Sequence, residues 1–181
     1  MSEAIWLARH GETDANAEGR VQGSLDPPLN DRGREQAHDL AARVEPLGIR
    51  KLYSSQLKRA RETADIVGAA LGLEPHVDER FRESFRGEWE GRLIAEIKAE
   101  DPVAWEGSMA IEVGFRFPGG ESLEEHAARV EAALVDVAEG PLPALVVCHG
   151  GSIRRVLAAR RPEELAAGPL VNGALVRVDA E

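Results

Sequence analysis

Short apolar runs alternate along the chain with segments in which apolar positions recur every three or four residues. An apolar run closed by glycine or by polar residues is typical of a buried strand, and the recurrence of three and four is typical of an amphipathic helix. The strands are predicted over 3–8, 50–54 and 144–148, with a weaker one over 174–178.

The helical spacing occurs in four segments with recognisable ends. Gly48 ends one of them and Pro162 stops another. Ser122 and Glu125 have the spacing of a capping box, in which each side chain accepts a hydrogen bond from the other residue's backbone. The helices are predicted over 34–47, 57–71, 123–137 and 152–161.

Alternation of strands and helices predicts βαβ units. The expected fold class is therefore α/β, with three layers in which helices cover both faces of a mostly parallel sheet. At about 100–200 residues per domain, residues 1–181 form one domain. Residues 79–121 are less regular and rich in Gly, Glu and Trp, and we interpret them as an insertion over one end of the sheet.

Composition narrows the class of protein further. With 43% hydrophobic residues the chain is not disordered, and its apolar runs of about five residues are too short to span a bilayer. One cysteine excludes an intrachain disulfide, and the N-terminus does not have the pattern of a signal peptide, so we expect a cytoplasmic protein. The net charge of −10 disfavours nucleic acids and anionic membranes as partners but permits a local basic pocket for a small anion.

Candidate chemistry lies at two predicted strand ends. Arg9-His10-Gly11 follows the first strand, and His149-Gly150-Gly151 follows the strand over 144–148. Ligands bind beyond the carboxyl ends of strands in open α/β sheets, and the helix after Gly150-Gly151 offers free N–H groups to an anion. Arg9 adds a planar fork suited to phosphate oxygens. The pattern predicts a phosphate site with two imidazoles, either of which could be the nucleophile.

Six blocks along the chain extend this pattern: Arg9-His10-Gly11-Glu12-Thr13 with Asn16; Gln22-Gly23 with Asp26 and Leu29; Gly33 with Gln36-Ala37; Ser54-Ser55 with Arg59-Ala60 and Thr63-Ala64; Glu83 with Gly87-Glu88-Trp89-Glu90-Gly91; and Gly119-Gly120-Glu121-Ser122 with His149-Gly150-Gly151. In this order the blocks resemble the histidine phosphatase superfamily, the phosphoglycerate-mutase-like group. The resemblance runs from about residue 5 to 157.

The resemblance implies a role for each matching residue. His10 would take the phosphoryl group, and Arg9, Arg59 and His149 would surround it. Glu83 would protonate the leaving oxygen and later activate water, which requires a pKa nearer neutrality than that of a free glutamate, so burial should raise it. The residues implied to line the substrate pocket are Gly11, Asn16, Gln22, Gly23 and Gly150.

No metal and no cofactor are expected at this site. Two arginines and a possible imidazolium would supply the positive charge that a magnesium ion supplies elsewhere, and no metal-ligand spacing stands out in the sequence. The expected partner is a small phosphorylated metabolite.

Some positions depart from the pattern or match none of it. Arg86 stands where a bulky apolar residue is usual in the family, and it could either read a second anionic group or face solvent. Cys148 replaces a more usual Ser or Thr and is interpreted as a small buried residue. The other histidines (His38, His76 and His126) are predicted to lie on the surface, and the arginines Arg154, Arg155, Arg160 and Arg161 to be charges that complement a helix end.

The favoured function is a cofactor-independent phosphatase of a small phosphomonoester. Family mutases resemble the chain but carry longer insertions and tails, so phosphoglycerate mutase is one alternative. Protein phosphohistidine phosphatases resemble it too but tend to lack the block from Glu83 to Gly91. A non-catalytic phospho-ligand binding protein would be indicated by loss of His10, Arg9 or Glu83, all of which are present. The substrate and the oligomeric state are left open.

Overall fold

The computed structural model describes residues 4–165 and 170–179, in which a five-stranded sheet forms the centre. The strand order is β3-β2-β4-β1-β5, and all neighbours are parallel except β5, which runs antiparallel to β1. The predicted α/β class with a mostly parallel sheet is confirmed. The strands are β1 (Ala4–Arg9), β2 (Lys51–Ser54), β3 (His76–Val77), β4 (Ala144–Cys148) and β5 (Leu175–Asp179).

Helices cover both faces of the sheet, so the three predicted layers are present. The helices are α1 (Asp14–Ala17), α2 (Asp31–Val44), α3 (Lys58–Leu71), α4 (Ile94–Glu100), α5 (Pro102–Ala110), α6 (Leu123–Ala138), α7 (Gly150–Arg160) and α8 (Pro162–Leu165). None of the helices in the described ranges is long and apolar enough to cross a membrane.

The central strand β4 is buried along its whole length because helices pack on both of its faces. Leu145 and Val147 point into the core that α2 and α3 form, whereas Val146 and Cys148 point into the core that α6 and α7 form. Burial raises the pKa of the Cys148 thiol to about 12, which confirms the small buried residue and makes a reactive thiolate unfavourable.

The helix ends differ from the predictions for local reasons. Helix α2 begins three residues earlier because the Asn30 side chain accepts a hydrogen bond from the Gly33 N–H. The capping box of Ser122 and Glu125 is confirmed at the start of α6. Pro162 stops α7 and is itself the first residue of α8, a position where a missing N–H costs nothing.

Two features were not predicted. Strand β3 consists of only two residues, both exposed, so it carries no apolar run by which the sequence could reveal it. Residues 79–121 contain the short helices α4 and α5 and two 3-10 turns, Glu79–Phe81 and Gly87–Trp89. Beneath them lies a third apolar cluster, separate from the two cores of the sheet, that includes Trp89, Ile97 and Phe117.

Candidate active site

The site lies where the adjacent parallel strands β1 and β4 end. Arg9 pairs with Cys148 in the register of the two strands, so the next residues, His10 and His149, emerge side by side. Their ring centroids are 5.2 Å apart. The structure therefore brings together the two imidazoles that the sequence placed at separate strand ends. A cavity of about 280 Å³ opens beside them.

The hydrogen bonds of His10 identify its nucleophilic atom. Nδ1 lies 2.6 Å from the Gly11 carbonyl oxygen, which can only accept, so Nδ1 carries the proton. Nε2 is therefore unprotonated, and its lone pair accepts a hydrogen bond from Arg59 Nε at 3.3 Å. Burial, followed by the charges of Arg59 and Arg9, holds the pKa of His10 well below its usual range. The imidazole is neutral at pH 7 and can act as a nucleophile.

His149 is held in place by a hydroxyl group. Its Nε2 lies 2.9 Å from the Ser55 hydroxyl, whose oxygen already accepts from the Leu57 N–H, so the hydroxyl can donate to Nε2. Its Nδ1 is buried and has no partner among the described residues. Burial, and then the charge of Arg59, lowers the pKa of His149 well below its usual range. His149 is therefore a neutral imidazole in the free pocket, and the imidazolium that the sequence analysis allowed is not formed there.

Two arginines bring positive charge to the cavity. Arg59 lies in the first turn of α3 and is almost fully buried, and its Nη1 and Nη2 donate to the carbonyl oxygens of Leu25 and Gly23 at 2.6 and 2.8 Å. Burial lowers the pKa of Arg59 to about 10, so it keeps its charge at neutral pH. Arg9 donates from Nη1 to the Leu170 carbonyl oxygen, while its buried Nε has no partner in the described part of the chain.

Two amide side chains between β1 and α2 line the cavity, Asn16 in α1 and Gln22 after it. The oxygen Oδ1 of Asn16 accepts from the Thr13 backbone N–H at 3.2 Å and from Asn172 at 3.2 Å. The Thr13 hydroxyl donates to Gln22 Oε1 at 2.9 Å. Both amide oxygens are thus occupied, and both NH₂ groups are left for a ligand in the cavity that Asn16, Gln22 and Gly23 line. Asn172, in the last described segment, was not predicted as a site residue.

Of the three glycines predicted to line the pocket, Gly23 and Gly150 line the cavity and Gly11 does not. Gly150 lines the cavity at the start of α7. Gly11 packs behind it, where a Cβ on Gly11 would come within 2.2 Å of the Gly33 carbonyl oxygen. Its N–H donates to the Thr63 hydroxyl at 3.1 Å. The structure therefore gives Gly11 a packing role that allows α2 to approach the loop after β1.

Glu83 lies on the same cavity and is held by backbone donors. Its Oε1 accepts from the Ser84 N–H at 2.9 Å, and its Oε2 accepts from the Gly151 N–H at 3.0 Å. Glu83 is 7% exposed. The sequence segment that supplies it is irregular, yet the residue is fixed against the start of α7.

The expectation of a raised pKa for Glu83 is wrong for the free pocket. Burial does raise the pKa, but the nearby charge of Arg86 and the N–H of Ser84 lower it, and the net result lies well below the usual range. Arg86 Nη2 is 3.6 Å from Glu83 Oε2. A phosphate dianion among these arginines would offset their field, so we expect the pKa of Glu83 to rise when substrate binds.

An arginine on α6 holds the backbone next to Glu83. Arg129 pairs with both carboxylate oxygens of Glu121, each at 2.8 Å. The same guanidinium donates to the carbonyl oxygens of Arg80 and Arg82 at 2.7 Å and of Glu83 at 3.1 Å. Such a fork with five acceptors fixes the course of this segment, and Glu83 with it.

The prediction that His126 lies on the surface is wrong. It is 1% exposed, and its Nε2 is 3.0 Å from the Ser152 hydroxyl and 4.0 Å from Glu83 Oε1. Burial lowers the pKa of His126 to about 4, so it is neutral at pH 7. Its position in α6 lies on the buried face, between Leu123 and Val130, and this spacing was the available signal. His38 and His76 are exposed, as predicted.

The arginines of α7 also differ from the prediction. Arg154 lines the cavity and donates to the Met109 carbonyl oxygen at 2.6 Å, and Arg155 is buried. Only the end of the helix fits the predicted pattern of charge near carboxylates, since Arg160 pairs with Glu131 at 2.6 Å. Helical spacing alone did not reveal that Arg155 turns inward.

We expect Gly151→Ala to reduce activity on any phosphomonoester substrate by about 10-fold or more, while the fold persists. A Cβ at this position would come within 2.2 Å of Glu83 Oε1, so the carboxyl group must move, and small displacements of catalytic groups are costly. Alanine itself suits this helical position better than glycine does. Steady-state kinetics and a thermal melt test this. Unchanged kcat/KM would show that the position of Glu83 is not critical.

The described residues contain no group of three or more His, Cys, Asp or Glu side chains that could hold a metal ion. Metal independence stays a prediction.

Comparisons with known proteins agree on one family. The model of the histidine phosphatase superfamily (branch 1) matches residues 5–181. The probable phosphoglycerate mutase GpmB of Escherichia coli O1:K1 / APEC is 41% identical over 150 residues, which are 81% of this chain and 69% of that protein.

Solved structures of both a phosphatase and a mutase are similar to the chain. The mycobacterial glucosyl-3-phosphoglycerate phosphatase in complex with VO3 is 32% identical, with a TM-score of 0.86 over 96% of this chain and 91% of that one. A phosphoglycerate mutase from Thermus thermophilus is 37% identical, with a TM-score of 0.79 over 97% and 92%.

Proposed function

Because this chain belongs to the histidine phosphatase superfamily, we propose that it hydrolyses a small phosphomonoester through a phosphohistidine on His10. The observation that carries the proposal is the tautomer of His10, whose unprotonated Nε2 lies in the same cavity as the buried Glu83 carboxyl group. A nucleophile and an acid at one phosphate site are the two groups that a covalent phosphoryl transfer requires.

In the first half of the proposed reaction, His10 Nε2 forms a bond to phosphorus while the ester P–O bond breaks. The leaving oxygen takes a proton from Glu83, which becomes a carboxylate. Glu83 must therefore be protonated in the complex, and the negative charge of the bound phosphoryl group favours that proton. The Nδ1 proton of His10 stays hydrogen-bonded to the Gly11 carbonyl oxygen, which stabilises the charge that the ring acquires.

In the second half, water attacks phosphorus and the P–Nε2 bond breaks. Glu83 takes the proton of the attacking water, and phosphate leaves. The groups that would stabilise the phosphoryl oxygens are Arg9, Arg59, His149 and the amides of Asn16 and Gln22. All five belong to the predicted site, and four of them line the cavity, while His149 stands beside it.

Phosphoglycerate mutase is the second candidate, because a probable mutase is 41% identical to this chain. Whether the protein acts as a phosphatase or as a mutase depends on whether water reaches the phosphohistidine before a second acceptor does. The cavity opens to solvent, with the half-exposed Arg20 on its rim, and this access for water favours hydrolysis.

The test is to incubate the purified protein in EDTA with nitrophenyl phosphate, alkyl phosphates and 3-phosphoglycerate. Free phosphate and phosphoryl transfer between the carbons of phosphoglycerate are both measured. We expect phosphate release without transfer, at a rate that EDTA changes by less than about two-fold, since the arginines replace the metal charge.

Transfer with little release would make the protein a mutase. Inhibition by EDTA that a divalent metal reverses would contradict the metal-free mechanism. Failure to hydrolyse any ester, with a folded protein, would favour the non-catalytic phospho-ligand binding protein.

A further inference from the structure

A second, much smaller recess of about 20 Å³ adjoins the cavity, and we call it the arginine recess. Three guanidinium groups border it, those of Arg86, Arg154 and Arg155. Arg86 and Arg154 also line the main cavity, so the recess lies next to the site where the phosphoryl group would bind. Arg154 and Arg155 have no role in the proposed phosphoryl transfer, and Arg86 acts on it only through the pKa of Glu83.

Two guanidinium groups of the recess have buried N–H groups without partners. Arg155 is 7% exposed, and its Nε and Nη1 have no hydrogen-bond partner among the described residues, while Nη2 reaches the Ser108 carbonyl oxygen only at 3.4 Å. The Nε of Arg154 is likewise buried and without a partner in that part of the chain. Buried guanidinium N–H groups without acceptors are unfavourable unless a ligand supplies the acceptors.

The charges of Arg154 and Arg155 also lack a carboxylate partner in the described part of the chain. Glu83 lies 3.6 Å from Arg86, but in the described ranges no carboxylate forms an ion pair with Arg154 or Arg155. Burial, and the charges of Arg86 and Arg154, lower the pKa of Arg155 to about 10, against the opposing effect of Glu83 and the more distant Glu124. Arg155 therefore keeps its charge at neutral pH.

Arg86 is held in this position by its neighbours. Its guanidinium carbon stands 5.3 Å from the centre of the Phe117 ring, and its Nε lies 3.3 Å from the Ser84 hydroxyl. Stacking on an aromatic ring restrains a guanidinium without using its N–H groups. The sequence left open whether Arg86 faces the pocket or the solvent, and the structure places it in the pocket.

We propose that the arginine recess binds a second oxyanion of the same substrate molecule. This inference rests on the proposed function and narrows its substrate class to phosphomonoesters that carry a compact second anionic group, a carboxylate or a phosphate. The planar fork of arginine matches both groups. The phosphoryl group would bind beside His10, and the second anion would satisfy the free N–H groups of Arg154 and Arg155.

The experiment measures binding of phosphonates, which cannot be hydrolysed, by calorimetry. 4-Phosphonobutanoate carries the second anion, 4-methylpentylphosphonate has the same shape without the charge, and propane-1,3-bisphosphonate tests a phosphate in place of the carboxylate. We expect at least one of the two anionic ligands to bind about 10- to 100-fold more tightly than the neutral isostere, as hydrogen bonds to charged groups allow.

Substitutions of the recess arginines test whether these residues cause the tighter binding of the anionic phosphonates. We expect Arg154→Met and Arg155→Met each to reduce that preference about 10-fold. The matched control is Arg61→Met, which removes the same charge from an exposed arginine that pairs with Asp65 on α3, and it should keep the preference. If Arg155→Met does not fold, Arg154→Met alone carries the test.

Equal affinity for all three phosphonates would overturn the second subsite, and so would a preference that Arg154→Met leaves intact. Failure of all three to bind would overturn it as well. Turnover of nitrophenyl phosphate, which has no second anion, is measured beside each titration. Absence of that turnover would be a failure of the proposed function, whereas turnover without a preference for the anionic ligands would be a failure of the second subsite alone.

Discussion

His10→Ala is expected to lower kcat for nitrophenyl phosphate by about 10⁵-fold, to the level of contaminating activity, because removal of a covalent nucleophile is not compensated by the remaining groups. The Nε2 lone pair of His10 is the feature of the cavity that alanine removes. Single-turnover chemistry offers a second measurement. After a brief incubation with labelled substrate and acid-free denaturation, the wild-type protein should carry a base-stable, acid-labile phosphoryl group, and the variant should carry none.

The matched control is His38→Ala, which removes an exposed histidine of α2 that lies outside the site. It should keep wild-type turnover. The fold of His10→Ala is expected to persist, although the cavity left in a buried position costs about 1–3 kcal/mol of the free energy of unfolding. Normal turnover by His10→Ala from a host without related phosphatases would contradict the assignment of the nucleophile. Labelling of His149 instead would move the nucleophile to the other imidazole.

The parts of the fold that were predictable have strong local patterns. Strand β4 is a continuous apolar run because both of its faces are covered, and α6 shows its apolar stripe and its capping box. Strand β3 was missed because its two residues gain their position only from pairing with β2, and no apolar pattern marks them.

The candidate site was predictable for a different reason. His10 and His149 follow strands that turn out to be neighbours in the sheet, so their proximity follows from the parallel topology. Which imidazole is the nucleophile was not predictable, because it depends on the Gly11 carbonyl oxygen beside Nδ1. The family resemblance selected His10, and the hydrogen bonds give a physical reason for that choice.

The burial of titratable side chains was the least predictable feature. A histidine or an arginine on a helix is usually solvated, so His126 was assigned to the surface and Arg155 to the charges that complement a helix end. Their burial depends on how α6 and α7 pack against residues 79–121, which is a tertiary effect. The pKa of Glu83 was mispredicted for a related reason: its burial was anticipated, but the position of Arg86 was not.

Glu83→Gln is expected to separate substrates by their leaving groups. A glutamine cannot donate a proton to the departing oxygen, so turnover of an alkyl phosphate should fall by about 10²- to 10⁴-fold. Nitrophenyl phosphate releases a stable phenolate that needs little protonation. In the variant, formation of phosphohistidine from this ester should therefore slow much less than formation from the alkyl phosphate. The measurement is kcat for both esters, together with the initial burst of nitrophenol, which isolates the first half-reaction.

The control for the loss of a negative charge is Glu88→Gln, because Glu88 is an exposed acid of the same segment. It should behave as wild type with both esters. Glutamine also cannot accept from both the Ser84 and the Gly151 N–H groups as the carboxylate does, so we expect the variant Glu83→Gln to lose about 1–3 kcal/mol of stability as well. A thermal melt below the assay temperature would have to be excluded before the kinetics are interpreted.

The pH dependence of kcat is an independent test that Glu83 supplies the proton. In the free pocket Arg86 holds the pKa of Glu83 well below the usual range, against the opposing effect of burial. The dianion of a bound substrate should raise it, so kcat for the alkyl phosphate should fall as pH rises through the pKa of Glu83 in the complex, at a pH above that of an ordinary glutamate. This decline reflects the loss of the proton from Glu83, so it should be absent in the variant Glu83→Gln. A variant that keeps the same decline, or that slows formation of the phosphohistidine equally for both esters, would show that another group supplies the proton to the leaving oxygen.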